Sequence, residues 1–201
     1  MPIRRVAVER FSVVSVKPFA EVMATIDAAI GHPNLEQMHR DIAAAKTYAE
    51  VEALVGKLTG PTDLMEFLRL DIGAVLAKGA AGKTGRSLRL LVGNPIIMRR
   101  MTEQVADAAS YAPVTILVDE RADGVQLSYD RMASFLAPYG NAAASAVAAD
   151  LDRKVETLLA AAAGSRPIYA EIYRIVNMAN GAGLALCLTL DRVTSRVEDD
   201  P

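Results

Sequence analysis

Ser87–Met101 reads SLRLLVGNPIIMRRM, and Ser110–Asn141 reads SYAPVTILVDERADGVQLSYDRMASFLAPYGN. The first run is an apolar strand that stops at Gly93-Asn94-Pro95, where Asn can cap a helix and Pro can occupy its first turn. The second run opens at Ala112-Pro113, continues as a β-branched strand over Val114–Arg121, and turns back at Asp123-Gly124 into a strand ending at Asp130. Asp-Gly between alternating segments is a hairpin signal, because the turn needs a residue that tolerates positive φ. Strand, helical turn and hairpin in this order predict an antiparallel sheet with helices packed against it.

This pattern resembles domain-of-unknown-function family 302, whose hallmark is a strand ending in Asn-Pro followed by a Pro-led strand hairpin. The resemblance spans about residues 5–163 and is strongest over 86–141. It implies an α+β fold, an antiparallel sheet with helices on one face, in a TATA-binding-protein-like β-α-β4-α arrangement. It implies no activity, because the family has no settled one. Its acidic residue in the strand near Leu70 matches Asp71.

Outward from this stretch, β-branched residues in 5–16 predict a first strand. Phe19, Val22, Met23, Ile26 and Ile30 recur at spacings of three and four, the stripe of a helix started by Pro18 and stopped at Gly31-His32-Pro33. Asn34 can cap a second helix carrying Leu35, Met38 and Ile42. Thr47 and Glu50 have capping-box spacing and open a third, which ends at Gly60-Pro61. This helical pair, residues 33–61, reads as an insertion. The segment Glu66–Ala77 suits a strand or a helix capped by Thr62 or Asp63; the strand reading is preferred because a Gly-rich turn and a second strand follow. Asp130 can cap a short helix through Leu136, and Asn141 a long alanine-rich helix ending at Gly164, with Asp150 and Lys154 as an i,i+4 pair on its wet face. Residues 1–165 are expected as a single α+β domain. Residues 166–201 read as an appendage with a helix at Ile168–Met178 and an apolar strand at Leu184–Leu190.

The totals narrow the function classes. With 52% hydrophobic residues in 201, the chain can bury a core without staples. Net charge −2 and the absence of Trp argue against a nucleic-acid surface. The longest apolar run, near Ala182–Leu190, is far short of a membrane span. A lone cysteine, Cys187, and no visible signal peptide suit a reducing cytoplasm, and the thiol reads as buried and inert.

Several groups carry chemistry, each with a plain structural alternative. Glu66, Arg69 and Asp71 are charges within an apolar strand, with Phe67 beside them. They could line a pocket with Asp71 or Glu66 as acid-base group and Arg69 as anion anchor, or form a cross-strand ion pair that includes Arg89. Asn94 could present its amide to a ligand, although capping alone accounts for it. Tyr111 and Tyr129 could orient a ligand, or bury a ring and wet the oxygen. Arg99, Arg100, Arg121 and Arg131 read as a solvated rim. His39 stands at the edge of an apolar stripe as a conceivable haem or metal ligand, but no second His or Cys completes a set, and His32 reads as solvated. Gly79–Thr84 resembles a phosphate loop, yet it lacks the first Gly and runs into a strand instead of a helix. No Ser-His-Asp arrangement is legible.

The reading that results is a small-molecule binding protein for a partly apolar, anionic ligand, working as a homodimer paired through Leu184–Leu190, with Arg69, Asn94, Tyr111 and Phe67 as ligand-binding residues and the cofactor unknown. The alternatives are a cofactor-independent enzyme using Asp71 or Glu66 on a small organic acid, and a haem or metal carrier.

Overall fold

The computed structural model describes residues 5–79 and 85–164, which all lie in the first unit of the chain, Met1–Ser165. The strands are β1 (Arg10–Ser15), β2 (Met65–Asp71), β3 (Ser87–Gly93), β4 (Val114–Arg121) and β5 (Gly124–Asp130). They form a single sheet in the order β1-β5-β4-β3-β2, with every neighbouring pair antiparallel. The helices are α1 (Phe19–Ala29), α2 (Leu35–Ala44), α3 (Tyr48–Leu58), α4 (Ile72–Leu76), α5 (Pro95–Thr102), α6 (Met132–Leu136) and α7 (Ala142–Ala163). The fold is α+β, as the hairpin and helix patterns imply.

Alternation along the strands sets the core. Leu90, Val92, Val114, Ile116, Val118, Val125, Leu127 and Tyr129 are buried and share one face. They pack with Phe19, Val22 and Ile26 of α1, Ile97 and Met101 of α5, and Leu151, Val155, Leu158 and Leu159 of α7. A smaller cluster joins Met38, Val55, Met65 and Ile96, fastening α2 and α3 to the end of the sheet. The predicted caps form: Asn34 accepts from Gln37 N–H at 3.0 Å, Thr47 from Glu50 N–H at 3.3 Å, and Asn141 from Ala144 N–H at 2.9 Å. At the hairpin, Gly124 has φ +134°, which favours glycine. Gly31 bridges to Met65, and its backbone also lies so close to Leu58 O at the end of α3 that a Cβ there would overlap it.

Four local expectations change. β1 begins only at Arg10. Glu66–Ala77 is both alternatives in turn: strand to Asp71, then the short helix α4, because the Asp71 carboxylate accepts from Ala74 N–H at 2.8 Å and caps it. Asp130 does not cap α6; it is held by Arg10 at 2.6 and 2.9 Å. Asp150 pairs with Arg153, and Lys154 reaches Asp63 at 3.2 Å. The helix and strand read within 166–201, Cys187 and most of the Gly79–Thr84 turn lie outside the described residues.

Candidate functional site

Several side-chain interactions converge at the junction of β3 and α5. Asn94 is buried, and its Oδ1 accepts from Ile96 N–H at 2.8 Å and Ile97 N–H at 3.4 Å. Its Nδ2 donates to Asp63 O and Oδ1, both at 3.0 Å. Asp63 has φ +61° and also receives Lys154 from α7. One amide thus caps α5 and locks the turn before β2 against it. Every hydrogen-bonding atom of that amide is engaged within the protein, so Asn94 supplies position to this region and not a free polar contact.

Beside this junction lies a cavity of about 90 Å³ walled by Phe67, Met98, Met101, Pro113, Val114 and Leu151. Phe67 reaches it because the register of β2 against β3 shifts between Glu66 and Leu68. The Ala112–Pro113 peptide is cis, and Pro113 Cβ lies 3.3 Å from where a Cβ on Gly93 would sit. Met98 and Pro95 also border a wider, shallow groove of about 650 Å³ formed with Ile42, Tyr48 and Val51. On its rim the Arg99 guanidinium stacks 3.6 Å over the Tyr48 ring and pairs with Glu103 at 2.5 Å. No titratable side chain lines the smaller cavity, so its described walls offer apolar contact and no acid-base group.

Of the residues singled out from the sequence, Phe67 and Asn94 come together at this cavity. The charged trio does not join them. Arg69 is gripped by Glu66 at 2.6 Å and by Asp27 of α1 at 2.5 Å, and its guanidinium is held even more firmly charged by those two carboxylates. A cation already neutralised twice is a poor anchor for an incoming anion. Asp71 is exposed and committed to the α4 cap, and Arg69 has no bond to it. Tyr111 stacks on Phe135 at 5.0 Å between ring centres, with its hydroxyl 3.2 Å from that of Tyr139. His39 is exposed, and among the described residues no group of three or more His, Cys, Asp or Glu could hold a metal ion.

Sequence reasoning missed a buried polar cluster on the other side of the core. Asp152 of α7 is 0% exposed. It accepts from the Tyr129 hydroxyl at 2.6 Å, from Met132 N–H at 2.7 Å and from Ala133 N–H at 3.1 Å, capping α6 across space. Arg131, read as part of a wet rim, lies 2.9 Å from Glu156 and 2.7 Å from Glu9. Burial drives the Tyr129 phenol well above its usual pKa, and burial likewise raises the Glu156 carboxyl. The signal was present: Asp152 and Glu156 follow Leu151 and Val155 on the stripe that faces the core.

The fold and this junction define an α+β sandwich protein with an apolar cleft at one end of an antiparallel sheet. A family model described as domain of unknown function DUF302 matches residues 40–162, more than half of the chain, so the chain belongs to that family. A solved structure, an uncharacterized conserved protein DUF302 from Bacillus stearothermophilus, is similar with a TM-score of 0.50 and 12% identity, over 77% of this chain and 95% of that one. At this identity the likeness shows the fold. No curated protein matches. Among the described residues no helix is long and apolar enough to cross a membrane.

Proposed function

We propose that this protein binds a small molecule through an apolar group seated in the cavity beside Asn94. The observation that carries the reading is the cavity itself, walled by Phe67, Met98, Met101, Pro113 and Leu151 where three strand ends meet two helices. Cavities lined by apolar side chains stay dry and accept apolar guests. At about 90 Å³, the space takes a short alkyl or similar group and leaves the remainder of the ligand outside, along the groove that shares Met98. Asn94 and Asp63 preorganise the site by holding α5 against β2 and β3. Binding is favoured over turnover because the carboxylates singled out for acid-base work, Asp71 and Glu66, are engaged elsewhere.

The test is binding of an environment-sensitive apolar dye to the full chain, followed by fluorescence and displaced by short alkanes and alcohols. Met98→Phe, at a half-buried position, is expected to block the cavity and abolish the signal with the thermal midpoint unchanged. A signal that survives this substitution would remove the cavity from the reading. The homodimer remains part of the proposal. It rests on Leu184–Leu190, outside the described residues, and sedimentation of the full chain at micromolar concentration decides it.

A further inference from the structure

The sheet face turned away from α1, α5 and α7 carries a feature the cavity does not use. Arg89 points there, because Leu90 beside it points into the core. In register across the strands lie Leu70, Arg89, Leu117 and Ser128, and in the adjacent row Leu68, Leu91 and Thr115. The Arg89 guanidinium makes one long side-chain hydrogen bond, 3.4 Å to Thr115 Oγ1. Among the described residues it has no carboxylate partner. The other arginines of this face do: Arg10 holds Asp130 at 2.6 Å, and Arg121 holds Asp119 at 2.8 Å. A hollow of about 190 Å³ lies between Arg89 and Arg10, floored by Thr115, Leu117 and Ser128. On the far side of Arg89, Leu68 is 45% and Leu70 37% exposed.

The charge balance selects the occupant. A second copy laid on this face would bring another Arg89 and, among the described residues of the face, no uncommitted carboxylate to meet it, so like charge would oppose the pairing. A lone anion supplies the missing partner, and a guanidinium presents its donors in a fork that matches a carboxylate. The exposed leucines call for an apolar tail. We propose that this face binds a soluble amphipathic carboxylate, with its head on Arg89 and the hydroxyls of Thr115 and Ser128, and its tail over Leu68, Leu70 and Leu91. The proposal is independent of the cavity beside Asn94.

The experiment is calorimetric titration of the full chain with decanoate, using decanol and acetate as controls for tail and head alone. Decanoate is expected to bind more tightly than either control. Arg89→Gln is expected to weaken decanoate by about tenfold, the effect of one charge-assisted contact. Arg89→Lys should restore part of the loss, and Met98→Phe should leave decanoate affinity intact. Arg89 is exposed, so its variants should fold as the parent does, checked by thermal midpoint. Equal affinity for decanol and decanoate in the Met98→Phe chain, where the cavity is blocked, no response to Arg89→Gln, or loss of decanoate on Met98→Phe would each overturn the proposal. So would a dimer in sedimentation that Arg89→Gln tightens, because the face would then belong to a second copy.

Discussion

At the residue scale, Asn94 shows how one side chain can be legible in kind and hidden in extent. Its place after Gly93 and before Pro95 marks a helix cap, and the cap is there. The tie to Asp63, 31 residues away in sequence, left no local trace, because a long-range hydrogen bond depends on where two turns meet in space. Removing the side chain takes away the cap and leaves Asp63 O without its donor. Asn94→Ala is therefore expected to destabilise the fold by about 2–3 kcal/mol, read from urea unfolding, a cap and a buried hydrogen bond being worth about that together. Asn94→Asp keeps the acceptor for Ile96 N–H but faces the Asp63 carboxylate, so it should recover little. Arg69 makes the opposite point. Its charge suggested an anion anchor, but Asp27 arrives from α1, an element whose approach to β2 no spacing within 66–77 discloses.

At the element scale, α7 does more than cover the sheet. Its apolar stripe was readable from Val147, Leu151, Val155 and Leu158, and the same stripe delivers Asp152 to the start of α6. The α6 helix has no cap of its own, and α7 supplies one. Truncating Asp152 strands the Ala133 N–H, leaves Met132 N–H only its 3.1 Å bond to the Tyr129 hydroxyl, and takes from that hydroxyl its buried acceptor. Asp152→Ala is expected to cost about 3–5 kcal/mol in chemical denaturation, as loss of one member of a buried polar network does. Asp152→Asn retains an acceptor for Met132 N–H and should lose less; an equal loss would assign the effect to charge and not to capping. In β2 the periodicity implied a uniform strand. The register shift after Glu66 and the cap at Asp71 make it two pieces with different roles, the first feeding Phe67 to the cavity and the second closing on α4.

At the scale of the whole molecule, charge placement sets the response to pH. Arg10 holds the Asp130 carboxyl below its ordinary pKa, and Arg86 holds that of Glu120 down to about 2. Groups depressed on folding add stability that is present above their unfolded pKa and is lost as pH falls through the folded one. Glu156 runs the other way, raised by burial with Asp152 and Glu9 adding to the effect and Arg131 opposing it. Its favourable share is full below its unfolded pKa and disappears as pH rises through the folded value. The urea midpoint followed across pH is thus expected to fall at acid pH through Asp130 and Glu120, and to gain on the neutral side in Glu156→Gln without change in the acid limb. A Glu156→Gln chain less stable than the parent at neutral pH would show that the Arg131 pairing outweighs the desolvation of Glu156.

Sequence alone determined the class of fold, the five strands, the stops at Gly93-Asn94-Pro95 and Asp123-Gly124, and the family resemblance. Those signals are local: caps, turns and periodicity act within a few residues, and a hydrophobic face must be buried wherever the chain leads it. Tertiary structure alone decided which charges are spent and which are free. Arg69 and Arg89 stand on neighbouring strands and look alike in the sequence. The sheet turns Arg69 toward Asp27 and Glu66, and turns Arg89 to a face where no described carboxylate waits. Whether an ion pair forms depends on distances between elements far apart in the chain, so only the packed molecule separates a structural arginine from one available to a ligand.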